Sequence, residues 1–304
     1  MLRSILSRSC TSRLSVLSFA RSYSSNMATQ GKIIPVVDLG GLFDHSKQQD
    51  VERTKVISQL KKASKEVGFF YLINHGVSPD LMQSTFKSMR AFMDQPEEIK
   101  MKVHVNHNEG LRGYSAEFEQ GNYGVDVTDI RNQLTKETTS EAEDEPMDFK
   151  QTYHYGRELP KTHKHYNVTL FAPNVYPDTP AQFSEDIKTY WGAMDTLSDT
   201  LFEVFAEALN LPRDYFEDKV DEGMDSMNMN YYLPFADRPQ NQMGIGAHTD
   251  YECFTLLAQD GPTALQIFSP EKQEWVYVPE VRNAIVVNIG DMMARWSNDE
   301  FTST

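Results

Sequence analysis

Gly244-Ile245-Gly246-Ala247-His248-Thr249-Asp250 is the stretch whose reading decides the fold. It places an imidazole and a carboxylate two residues apart. Read as a strand, it turns both side chains to one face, because successive strand residues alternate sides. One nitrogen and one oxygen ligand would then stand side by side. A further histidine would complete the two-histidine, one-carboxylate set that holds non-haem Fe(II). No histidine follows Asp250 in the 304-residue sequence. Such a triplet also occurs as a histidine hydrogen-bonded near a turn, and that alternative stays open on the triplet alone. Gly244 and Gly246 leave room for close approach of another backbone.

Around this stretch the texture is that of a β domain. Short runs at 227–233, 254–258, 264–268, 274–278 and 284–289 read as strands. Pro234, Asp260-Gly261-Pro262, Ser269-Pro270, Pro279 and Gly290-Asp291 separate them. This spacing predicts a sandwich or barrel whose mouth could hold a site.

Upstream, helices dominate. Residues 33–39 read as an opening strand. Val51, Val56, Ile57, Leu60, Ala63 and Val67 predict an amphipathic helix over 49–67, ended by Gly68. Phe69-Phe70-Tyr71-Leu72-Ile73 reads as a buried strand, and Asn74-His75-Gly76 as a turn. Pro79 opens a second helix carrying Leu81, Met82, Phe86, Met89 and Phe92, which stops near Asp94-Gln95-Pro96; Glu97-Glu98-Ile99-Lys100 starts a short third. From Gly110 to Thr179 periodicity fades, and 137–148 reads as an acidic, solvated loop. Phe183, Ile187, Trp191, Met194, Leu197, Leu201, Phe205 and Leu209 then predict a long helix with one face packed on a sheet, closed by Leu211-Pro212.

Composition narrows the function classes. A net charge of −15 argues against a nucleic-acid footprint, and no apolar run is long enough to span a membrane. Residues 1–26 contain Arg3, Arg8, Arg13 and Arg21, many serines and no acidic residue. That is the composition of a mitochondrial transit peptide, with Arg21-Ser22-Tyr23-Ser24 resembling a matrix-processing site. Matrix localisation is therefore expected, or a cytoplasmic protein if translation starts at Met27. Cys10 would leave with the presequence. Cys253 then cannot form an internal disulfide and reads as a small core residue.

From about residue 33 onward the chain resembles the isopenicillin-N-synthase-like family of Fe(II)- and 2-oxoglutarate-dependent dioxygenases. The resemblance rests on several segments in the family's order. They are Ile34-Pro35-Val36-Val37-Asp38-Leu39; Gly68 through Val77; Asn230-Tyr231-Tyr232-Leu233-Pro234; Gly246 through Tyr251; Leu265-Gln266 with Trp275; and Val287-Asn288-Ile289-Gly290-Asp291 with Trp296-Ser297-Asn298. It implies an α+β, mainly β protein. A double-stranded β-helix (jelly roll) core over 224–304, its last strands missing, would follow a helical N-terminal region over 31–155 and a long helix over 181–211. It implies Fe(II) on His248 and Asp250, with Asn230 and Tyr232 near 2-oxoglutarate. O2 would be consumed, the keto acid would leave as succinate and CO2, and a C–H bond of a small-molecule substrate would be hydroxylated or desaturated.

Departures from the family pattern leave a second reading open. Asn228 stands where an arginine is common, and Leu233 where a proline is. The family's distal histidine and its Arg-x-Ser carboxylate anchor would lie past Thr304. The alternative expectation is thus a catalytically inactive truncated relative, or a cupin-like metal-binding protein. Among other histidines, His75 reads as structural, His163 and His165 as solvated loop residues, and His104, His107 and His154 as lacking ligand spacing. Asp291 reads as a turn residue. Substrate selection falls to the 114–149 region. The oligomeric state is not readable.

Overall fold

The computed structural model describes residues 34–43, 48–107, 110–117, 148–166, 168, 171–234, 244–269 and 272–304. The presequence, most of the acidic loop and most of the 114–149 region lie outside the described residues. In chain order the elements are β1 (Val36–Asp38), α1 (Gly40–Phe43), α2 (Gln49–Glu66), β2 (Phe69–Ile73), α3 (Pro79–Met93), α4 (Glu97–Lys100), β3 (Gly113–Ser115), β4 (Gln151–Gly156), α5 (Phe183–Ala208), α6 (Glu217–Val220), β5 (Ser226–Tyr231), β6 (Phe254–Ala258), β7 (Gln266–Ser269), β8 (Glu274–Tyr277), β9 (Ile285–Ile289) and α7 (Asp291–Trp296). They fall into two units that interleave along the chain, one of 34–38, 58–73 and 250–304, the other of 39–57 and 74–249. Among the described residues no helix is long and apolar enough to cross a membrane.

The first unit is built on a four-stranded sheet in the order β1-β2-β9-β6, with β1 parallel to β2 and the other pairs antiparallel. Central β9 is buried at every residue, which is why it reads as a continuous apolar run, interrupted only by Asn288. Phe69, Tyr71 and Val286 on one face of the sheet pack against Ile267 and Val276 of the β7–β8 hairpin. The Tyr71 hydroxyl donates to the Pro279 carbonyl at 2.6 Å, satisfying its buried polar end. The segment after α2 turns through Gly68, whose N–H returns to the Ala63 carbonyl at 3.0 Å and whose φ is +74°.

The second unit carries the antiparallel sheet β3-β4-β5. Strand alternation sends Tyr153 and Tyr155 of β4 and Met229 of β5 into a core with Phe92 of α3 and Phe183 and Ile187 of α5. Tyr153 lies 4.9 Å from Phe183 and 5.5 Å from Phe92, ring centre to ring centre, in edge-on contacts. The long helix does present one face to a sheet, as its periodicity predicts, and the other side of that face meets α3. Arg53 of α2 closes on Glu203 and Glu207 of α5.

Two expectations need correction. The 110–179 region contains two strands, β3 and β4. All six residues of β4 are buried, including Gln151, Thr152 and His154, so the apolar–polar alternation that marks a strand is hidden. Val51 is exposed, because it lies five residues from Val56 and so falls off the buried stripe of α2.

Gly68 admits a sharp test. A Cβ there would stand 2.2 Å from the Thr302 carbonyl oxygen on a left-handed backbone. Gly68→Ala should therefore lose roughly 2–5 kcal/mol in urea unfolding.

Candidate metal centre

His248 and Asp250 are not on a strand. Residues 244–250 run as bends and irregular chain, with His248 exposed and Asp250 half-buried. Glycines at 244 and 246 lower strand propensity, and no β-ladder includes the segment. What holds His248 in place of a ladder is local. Its Nδ1 lies 2.9 Å from the Gly246 carbonyl oxygen and donates to it, which puts the ring's lone pair on Nε2. The Gly246 N–H in turn donates to Asp148 Oδ1 at 3.0 Å. Gly244 lies against the Tyr232 ring, so closely that a Cβ there would meet Tyr232 Cδ1 at 2.8 Å.

Asp250 is oriented by a different set of groups. Its Oδ2 accepts the Thr255 hydroxyl and, at 2.7 Å, the Asn288 amide. Thr255 of β6 and Asn288 of β9 are direct cross-strand partners, so their side chains leave the sheet on one face and converge on one oxygen. The backbone of 250–253 also closes on the β9–α7 corner, with the N–H of Asp291 on the Asp250 carbonyl at 2.8 Å and that of Gly290 on the Cys253 carbonyl at 3.0 Å. A Cβ at Gly290 would stand 2.0 Å from the Glu252 oxygen, so only glycine fits there.

Asn230 and Tyr232 lie at the end of β5, on the face opposite the aromatic core. Asn230 Oδ1 accepts the Thr152 hydroxyl at 2.9 Å. Tyr231 takes the other face and donates to Asp94 at 2.9 Å, so the pleat decides which tyrosine stands beside Gly244. The Tyr232 hydroxyl is pushed up to about 12, by desolvation first and then by the Asp148 carboxylate, although half its surface still meets solvent. The same polar face carries buried His154, bound to Asn228 at 2.9 Å and to Ser115 at 3.2 Å. Burial pushes His154 down to about 4, with Lys150 and Arg112 adding to the effect against the Asn228 hydrogen bond. Gly156 leaves the space that the Arg112 guanidinium fills, since a Cβ would meet Nη2 at 2.0 Å.

Two family models match the chain. "Non-haem dioxygenase in morphine synthesis N-terminal" covers 34–179, and the 2OG-Fe(II) oxygenase superfamily covers 224–304. The homoarginine-6-hydroxylase of Arabidopsis thaliana is 33% identical over 287 residues, 91% of this chain and 80% of that protein. The 2-oxoglutarate-dependent dioxygenase tropC of Talaromyces stipitatus is 26% identical over 91% of this chain and 82% of its own length. A full-length Neurospora crassa protein, crystallised with alpha-KG and thymine, superposes with a TM-score of 0.69 at 27% identity, covering 89% of this chain and 78% of that one. The chain belongs to the 2-oxoglutarate–Fe(II) oxygenase superfamily. Its structural neighbours are double-stranded β-helix proteins, and Fe(II) and 2-oxoglutarate are the metal and cosubstrate of this family.

The oxygenase frame explains the Asn288-Ile289-Gly290-Asp291 motif: Asn288 grips the Asp250 carboxylate, Gly290 admits the 250–253 backbone, and Asp291 bonds it. Asp291 is the first residue of α7, not a turn residue. Thr255, Asn288 and Asp148 were not singled out from sequence as site residues. Only the resemblance marks Asn288, and nothing in the local pattern marks the other two. His75 is structural, with Nδ1 accepting the Val77 N–H at 3.2 Å. His163 and His165 lie in a turn region with partly exposed side chains, 4.0 and 3.4 Å from the exposed Glu222. Cys253 is half-buried rather than core. Among the described residues no group of three or more His, Cys, Asp or Glu is arranged to hold a metal. The chemistry of the donors present nonetheless fits Fe(II): an imidazole whose Nδ1 is engaged by a backbone carbonyl and a carboxylate oriented by two donors.

His154 makes stability pH-dependent. Its folded pKa lies below the unfolded value, so the stability due to its neutral form is complete above pH ~6.5 and is lost as pH falls toward 4. That loss should reach roughly 3 kcal/mol by urea unfolding, and His154→Gln should flatten the slope.

Proposed function

We propose that His248 and Asp250 hold Fe(II), that 2-oxoglutarate binds beside Asn230 and Tyr232, and that the chain hydroxylates or desaturates a C–H bond of a small organic molecule. The observation that carries this reading is the support of each ligand by its own polar partners: Gly246 for the imidazole, Thr255 and Asn288 for the carboxylate. Ligands of catalytic metals are oriented in this way. The bound metal, with keto acid and O2, supplies the oxidising chemistry. The protein's own part is to position groups and donate hydrogen bonds. Asn230 offers its amide N–H to a carboxylate, since its oxygen is engaged by Thr152. Tyr232, protonated at neutral pH, offers its hydroxyl. The acidic balance of the chain favours a neutral or cationic small molecule over a polyanion.

Anaerobic titration with Fe(II) and 2-oxoglutarate tests the reading. The unaltered chain should develop a visible charge-transfer band, and His248→Ala or Asp250→Ala should abolish it. Asn288→Ala should weaken metal affinity by ~10–100-fold. Iron binding without the band in a folded sample would instead assign the chain to the metal-binding alternative.

The arginine- and serine-rich segment 1–26 supports delivery to the mitochondrial matrix. Residues 1–26 fused to a fluorescent reporter should direct it to mitochondria, and diffuse cytoplasmic fluorescence would overturn that assignment.

A further inference from the structure

We infer that Asp148 is a positioning residue for the metal ligand His248, acting through the backbone of Gly246. The inference rests on the assignment of His248 as a ligand, and its geometry lies wholly within the second unit.

Three contacts run in series. Asp148 Oδ2 lies 3.4 Å from Lys150 Nζ. Asp148 Oδ1 accepts the Gly246 N–H at 3.0 Å. The Gly246 carbonyl accepts the His248 Nδ1 proton at 2.9 Å. One glycine residue therefore takes a carboxylate on its N–H and the imidazole on its C=O, through the two peptide groups that flank its Cα. The segment needs such a tether. It lies in no β-ladder, it carries glycines at 244 and 246, and His248 itself is exposed. An exposed imidazole on a glycine-rich segment would otherwise sample several rotamers and backbone states, and a metal would have to select one at a cost in affinity. A charge-assisted bond from a carboxylate to a backbone N–H is about twice as strong as a neutral one. It ties the segment to the residues that lead into β4, which is buried at every position.

Lys150 completes the arrangement. Its side chain is only 3% exposed, against 20% for Asp148. A buried ammonium is stable only beside an opposite charge, and Asp148 is the acidic side chain that lies against Lys150. Asp148 also acts on Tyr232, whose ring flanks Gly244. The sequence Asp148-Phe149-Lys150 thus sets the carboxylate and the ammonium two residues apart, 3.4 Å from one another.

The test combines metal binding with backbone protection. Co(II) serves as an air-stable stand-in for Fe(II), with its visible d–d spectrum as the readout. In Asp148→Ala, Co(II) affinity should fall by ~10–100-fold, the d–d spectrum should change, and deuterium uptake over 244–250 should rise while uptake in α5 does not. Asp148→Asn retains an acceptor for the Gly246 N–H and should restore most of the affinity and protection. Asp148→Ala that binds Co(II) as tightly as the unaltered chain, with unchanged uptake at 244–250, would overturn the inference. His248→Ala separates the two claims. Unchanged Co(II) affinity in that variant would remove His248 as a ligand, and the positioning role with it. In that case increased uptake in Asp148→Ala would reveal a backbone tether alone.

Discussion

A carboxylate taken half out of water must be given donors, and the first unit is arranged around that requirement at Asp250. Thr255 and Asn288 face one another across β6 and β9 and deliver two donors to a single oxygen. Each removes part of the desolvation cost that an ionised side chain would otherwise carry. The same requirement explains the one polar residue inside a strand that is otherwise apolar and buried throughout. It also explains the missing side chain at Gly290, where the backbone of 250–253 passes too close for a Cβ. An apolar residue at 288 would remove one donor from the carboxylate, and any side chain at 290 would collide with the Glu252 carbonyl.

The imidazole is managed by separate means. His248 is oriented by the Gly246 carbonyl two residues earlier, and the N–H of the same glycine is held by Asp148. His248 and Asp250 thus each have their orienting groups within their own unit. Only Thr249 lies between them in the chain. A side chain on irregular chain has more freedom than one in a sheet, and polar tethers suppress the alternatives.

Much of this was legible in the residues. The apolar run Phe69–Ile73, the helical periodicity from Phe183 onward and the short strands Phe254–Ala258 and Ile285–Ile289 appear where hydrophobic pattern and turn residues place them. Those elements bury one stripe or one continuous run, which period-based reading detects. Strands β3 and β4 escaped because polar side chains are buried beside the tyrosines. Burial there is sustained by hydrogen bonds such as those of His154 to Asn228 and Ser115, which composition does not display. The strand expected at His248–Asp250 is not formed for the converse reason: alternation is present, but among the described residues 244–250 runs as bends and irregular chain, with glycines at 244 and 246, ahead of β6.

The sequence by itself determined the imidazole and carboxylate and their two-residue spacing, the order of most helices and strands, and the family, since these depend on local pattern and motif. Only the tertiary structure decided that Thr255 and Asn288 share one oxygen of Asp250, that Tyr232 rather than Tyr231 flanks Gly244, and that Asp148 accepts the Gly246 N–H. These pairings join residues from 5 to 98 positions apart. They depend on strand register and on which face of the pleat a side chain leaves, which are properties of the folded sheet rather than of any stretch of chain.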